Sequence, residues 1–176
     1  MRSIKITLIL LLFLLNDEAQ AQNIALYKDS INKFEIGMPI GWNYQVINDP
    51  STSIKLTVSR PKKDSTDFFT ENYNVNVLLL PNQTLDACYS EMMKSISTRA
   101  GFRLISQGDT TIRYMKYKWL TQSHTNQATG TAMTAYIYLA YDSTFAYMIT
   151  FAATTSSFSN YEVLFRQLSA SFHTDK

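Results

Sequence analysis

Apolar and polar positions change their period several times along the chain. Between residues 34 and 60, short apolar runs (34–36, 42–47 and 54–59) alternate with stretches holding Gly37, Pro39, Gly41, Asn48, Asp49 and Pro50. Such residues interrupt strands because of their backbone preferences. Residues 73–80 first alternate, with Tyr73, Val75 and Val77 against Asn74 and Asn76, and then become apolar throughout, as in a strand entering a more buried part of a sheet. Residues 84–100 keep a different rhythm: Leu85, Cys88, Tyr89, Met92, Met93, Ile96 and Ala100 recur three and four apart. That spacing predicts a helix with one apolar face, begun at Thr84 and ended by Gly101.

Four extended segments follow, over residues 102–107, 110–121, 131–142 and 145–155, with Gly108-Asp109 and Asp142-Ser143 read as hairpin turns. In the third, Met133, Ala135, Ile137, Leu139 and Tyr141 share one parity and Thr134, Tyr136 and Tyr138 the other. The first set is expected in the core and the second outside. A closing helix has Ser159 and Glu162 as a capping box and Tyr161, Leu164, Phe165, Leu168 and Phe172 along one face. Strands, helix, strands and helix in this order define the α+β class, an antiparallel sheet flanked by helices.

The N-terminus has its own pattern: Arg2 and Lys5, an apolar run over residues 6–15, and Ala19-Gln20-Ala21. A basic start, a ten-residue apolar core and an A-x-A site make a secretory signal, and the run is short of the about 20 residues that span a bilayer as a helix. The chain therefore divides into a signal peptide (1–21), an N-terminal lead-in (22–33) and one domain (34–173), with no stable membrane span after cleavage. The expected compartment is periplasmic or extracellular.

Charge and cysteine content narrow the function classes. The formal net charge is +2, and residues 1–21 contain two basic and two acidic residues, so cleavage leaves it unchanged. That is too little for a nucleic-acid footprint, and residues 60–63 (Arg-Pro-Lys-Lys) read as a solvated turn. The single cysteine, Cys88, rules out an intrachain disulfide and reads as a small buried hydrophobe on the helix stripe. Only two histidines are present, His124 in a polar segment and His173 near the end, and no nucleophile-elbow, zinc-protease, dinucleotide or phosphate-loop pattern occurs. Asp64 and Asp67, the closest acidic pair after residue 21, lack the glycine-bearing loop that calcium favours. No catalytic, metal or cofactor site is expected.

The feature most suggestive of binding is the density of tyrosines on neighbouring strands. Tyr136 and Tyr138, read as outward, and Tyr114 beside them are the candidate contacts, because tyrosine gives rigid contact area at low entropy cost; the favoured alternative is that cross-strand aromatic pairs simply stabilise the sheet.

The run Phe34-Glu35-Ile36-Gly37-Met38-Pro39-Ile40-Gly41-Trp42, the segment Asn74-Val75-Asn76-Val77 before the first long helix, and residues 168–172 at the end together resemble the PsbP/DcrB-like superfamily over residues 33–172. The resemblance implies an α/β/α sandwich and a non-enzymatic role. Members of that fold assist photosystem assembly, bind a small GTPase, act in the bacterial envelope or chaperone effectors. The expected function is an exported non-catalytic accessory or binding domain contacting a protein or an apolar ligand; the alternative is a hydrolase-like enzyme using scattered polar residues. Protein recovered from an exporting host should begin at Gln22 by intact-mass analysis, and a chain still starting at Met1 would refute the signal.

Overall fold

The computed structural model describes residues 23–174, so the expected signal peptide lies outside the described residues. Ten strands and two helices occur in the order β1 (Ile24–Asp29), β2 (Phe34–Pro39), β3 (Asn43–Val46), β4 (Ile54–Ser59), β5 (Asn72–Leu79), α1 (Leu85–Ile96), β6 (Arg103–Ile112), β7 (Met115–Thr125), β8 (Ala132–Tyr141), β9 (Phe145–Thr154), α2 (Phe158–Ser171) and β10 (His173–Thr174). Seven strands form one antiparallel sheet, ordered β3-β4-β5-β9-β8-β7-β6, and β1, β2 and β10 form a small second sheet. This is the expected α+β class. The segment 22–33, read only as a lead-in, contains β1, which pairs with β2 from Ile24 opposite Pro39 to Asp29 opposite Phe34.

The two faces of the large sheet are covered differently. On one, α2 and the small sheet enclose a continuous core that includes Phe34, Tyr73, Tyr117, Tyr138, Tyr147, Phe151, Phe165 and Phe172. Rings meet in sequence: Tyr117 stacks on Tyr138 at 4.7 Å, Tyr73 tilts against Phe151 at 5.2 Å, and Phe151 lies 5.3 Å from Phe165. Gly37 admits α2 to this layer, since a Cβ there would stand 2.6 Å from Ile24 Cγ2 and 2.9 Å from Ser171 Oγ. Its amide instead donates to Ser171 Oγ, and its carbonyl accepts from Tyr73 Oη.

On the opposite face, α1 lies over β7 and β8. Thr84 caps it by accepting from the Ala87 amide, and Cys88, Met92 and Ile96 are its buried residues, as the apolar stripe predicts. Met92 and Ile96 pack on Leu120, Ala135 and Ile137, and Cys88 on Leu139 and Ala146. Lys118 of β7 pins the first turn by pairing with Asp86 at 2.9 Å and with Asp109 of β6 at 3.0 Å.

Several local readings are corrected. Gly108 and Asp109 are not a turn; they lie inside β6, where Gly108 faces Trp119 across the ladder. A Cβ on Gly108 would come 2.8 Å from the indole, so the glycine accommodates a ring rather than a bend. The turn falls at Arg113-Tyr114, both with positive φ (49° and 75°), the geometry of a two-residue primed hairpin. Helix α2 starts two residues earlier than the capping box implied, with Ser157 at its N-cap and no side-chain capping bond, while Glu162 pairs with Arg166. Arg60 is not a solvated turn residue; its side chain is largely buried between Asp67 and Glu71.

Packing and polar satisfaction give a stability test. Ile96→Ala should cost about 2–5 kcal/mol, the usual range for emptying a buried aliphatic site. Tyr73→Phe should cost about 1 kcal/mol, the value of a lost hydrogen bond. Tyr138→Phe should be neutral or stabilising, because the buried Tyr138 hydroxyl has no partner among the described residues. Chemical denaturation of the three variants checks the order, and an unchanged midpoint for Ile96→Ala would contradict the packing described.

Candidate functional site

Because α1 covers β7 and β8, the same face of the sheet over β9 and the end of β5 is left beside the helix as a groove of about 630 Å³. Its wall is α1, with Ala87, Cys88, Met92 and Ile96 on successive turns; its floor is Leu139, Ala146 and Met148, with Leu78 on the far side. Leu78 and the adjacent Leu79 are 38% and 65% exposed. The volume lies within the roughly 300–1,000 Å³ of small-molecule sites, which are mostly apolar with a few polar groups. At the N-terminal end of α1, the Tyr141 hydroxyl donates to Leu80 O and accepts from the Gln83 amide, tying the connection that closes this end. At the other end stands Arg99. Glu91 also lines the groove, and its charge is met by Lys94 at 2.6 Å.

The chemistry of the groove is that of a binding surface. Burial pushes the Cys88 thiol up from its ordinary value, so at neutral pH it is protonated and a weak nucleophile. Among the described residues, no group of three or more His, Cys, Asp or Glu side chains is placed to hold a metal ion. His124, read as a residue of a polar segment, sits half-buried in β7; its Nδ1 is 3.2 Å from Gln122 Nε2, and burial and the charge of Arg99 lower its pKa. His173 lies across the molecule on β10, 3.0 Å from Glu35.

The tyrosine surface is not where parity placed it. Tyr136 and Tyr138 are 4% and 1% exposed. Both lie on the α2 side of β8, a central strand flanked by β9 and β7, so both parities are covered. Tyr136 packs 6.0 Å from Phe151 with the Arg166 guanidinium 4.9 Å from its ring centre. Burial raises its pKa and that of Tyr138, and pushes Tyr117 up to about 12. Tyr114, by contrast, is 94% exposed at the tip of the β6–β7 turn.

A second, polar recess of about 450 Å³ adjoins the Arg60 network. Arg60 donates to Asp67 and, through Nε at 2.6 Å, to Glu71, which also accepts from Ser157 Oγ at 2.8 Å. Burial would push the Glu71 carboxyl up, but the hydrogen bonds from Arg60 and Ser157 prevail and hold it below its ordinary value. Asp67 is lowered chiefly by its bonds from Arg60. These partners neutralise the guanidinium and bind the end of β4 to β5 and to the start of α2.

Comparison with solved structures shows a PsbP-like fold. The chain is similar to the cyanobacterial PsbP (CyanoP) of Synechocystis sp. PCC 6803, with 14% identity, a TM-score of 0.64, and 88% of this chain and 94% of that one covered. It is also similar to LpqN, involved in cell envelope biogenesis of Mycobacterium tuberculosis (10% identity, TM-score 0.63, coverage 87% and 91%). A third is the Saccharomyces cerevisiae Ran-binding protein Mog1p (12% identity, TM-score 0.56, coverage 88% and 96%). At these identities the likeness is one of fold. No protein-family model and no curated protein matches the sequence.

The lowered carboxyls have a consequence for acid stability. Asp67 and Glu71 ionise more readily folded than unfolded, so their contribution is fully present above the ordinary carboxylate range of about 4 and is lost as pH falls through the lower folded values. Denaturation midpoints should decline below about pH 4, and Glu71→Gln should flatten part of that decline while costing about 1–3 kcal/mol at neutral pH. An acid profile identical to that of the parent would show that the network is not coupled to folding.

Proposed function

We propose that the protein is an exported, non-catalytic accessory domain that takes an apolar ligand in the groove along α1. The groove itself is the supporting observation: an elongated, mainly aliphatic recess beside a helix, whose charged lining residues are Arg99 and the exposed Glu91, paired with Lys94. The signal-like N-terminus supports export, in keeping with a fold that also occurs in a protein of mycobacterial envelope biogenesis. No helix among the described residues is long and apolar enough to cross a membrane. Of the three candidate tyrosines, Tyr114 remains available to a protein partner; the other two act in the core.

Fluorescence of the neutral apolar dye N-phenyl-1-naphthylamine tests the reading. The dye should brighten on titration with the protein, and Ala87→Trp, which places an indole in the groove from the half-exposed helix wall, should weaken binding about tenfold, equivalent to 1.4 kcal/mol. Equal binding by a folded Ala87→Trp variant would move the ligand elsewhere.

A further inference from the structure

The groove has chemically different ends, and the end beyond α1 is cationic. Arg99, three residues past the last helical residue, lines both the apolar groove and a neighbouring polar recess of about 390 Å³. The recess is completed by His124 and Thr125 at the end of β7 and by Asn126 and Gln127 of the turn that follows. It has two basic side chains and no carboxylate in its lining. Arg99 has no acidic partner among the described residues, in contrast to Arg60 and Arg166, which are both paired. Its position is set by the backbone: the Arg99 amide donates to Ile96 O, and Ala100 O accepts from the Thr125 amide at 2.8 Å. Those bonds hold the α1–β6 connection against β7, beside His124. The Gln122 amide lies 3.2 Å from His124 Nδ1, and a neutral imidazole carries one donor and one acceptor nitrogen.

We propose that the ligand is a single-chain anionic amphiphile, with its alkyl tail along α1 and its anionic head at Arg99 and His124. This rests on the groove reading above and adds the head group to it. The tail has a lined path along the helix from Ala87 to Ile96, about 14 Å at the helical rise, ending where the unpaired cation stands. Charge complementarity selects the sign of the head: a cationic head would meet Arg99 unfavourably, and a neutral one would leave it without a partner.

Decanoate and decanol share a tail and differ in charge, so their displacement of N-phenyl-1-naphthylamine, below micellar concentrations, separates the two parts of the claim. Decanoate should displace the dye at about fivefold lower concentration than decanol, the scale of one exposed ion pair, and this preference should shrink in high salt. Arg99→Gln should bring the two probes to near equality without changing the denaturation midpoint, because Arg99 is exposed. In nuclear magnetic resonance spectra, the His124 ring signals should move with decanoate and stay with decanol. Equal displacement by the two probes, or an unchanged preference in Arg99→Gln, would overturn the head-group assignment while leaving the groove occupied. Failure of the dye and both probes to bind would instead remove the groove reading itself.

Discussion

Aromatic rings packed between the large sheet and α2 determine most of what else this chain does. Tyr73, Tyr117, Tyr138, Tyr147, Phe151, Phe165 and Phe172 are essentially inaccessible, and they come from four central or near-central strands, α2 and the residue that ends it. Their bulk keeps α2 and the small sheet at a fixed height above β5, β9, β8 and β7, and Gly37 is the place where that height falls to backbone contact. With one face thus committed, the other has only α1 to cover it. A helix of 12 residues shields part of a seven-stranded sheet, and the uncovered remainder is the groove.

The elements most readable from sequence are those with one exposed side. The α1 stripe announced its buried residues because the polar positions between them are solvated, and Thr84 signalled its cap. Period reasoning failed where solvent is absent from both sides. Residues 132–141 contain no charged side chain, and that missing charge was the available sign that β8 is buried on both faces; alternation of Thr134, Tyr136 and Tyr138 with aliphatic residues instead suggested an outward surface. Gly108 misled for a related reason, since space for the Trp119 ring and freedom to turn select the same residue. The groove had no local signature at all. Leu139, Ala146 and Met148 come from one hairpin, but Leu78 lies far before them in sequence and joins them only because β5 pairs with β9.

The ionic groups divide by what surrounds them. Arg60 and Lys118 each bridge two carboxylates and serve to join elements: β4 to β5 and the start of α2 in one case, β7 to α1 and β6 in the other. Arg99 joins nothing. A cation beside an aliphatic channel, beyond the reach of acids that are used elsewhere, has a different electrostatic role from those in structural pairs, and its location on a connection held by backbone hydrogen bonds gives that role a defined geometry.

Attachment of α1 rests on Cys88, Met92 and Ile96, on Lys118 at its first turn and on the Tyr89 hydroxyl, which donates to Gln107, while its opposite side is open. Its displacement would disturb two small clusters beneath it and leave the aromatic layer on the far side of the sheet intact. Local opening of this kind would cost less than global unfolding, and it would widen the channel without disturbing the rest of the domain. Occupants of different girth then bind with affinities set partly by how far each holds the helix from the sheet, and a snug one would slow the fluctuations of α1 without reorganising the rest of the domain.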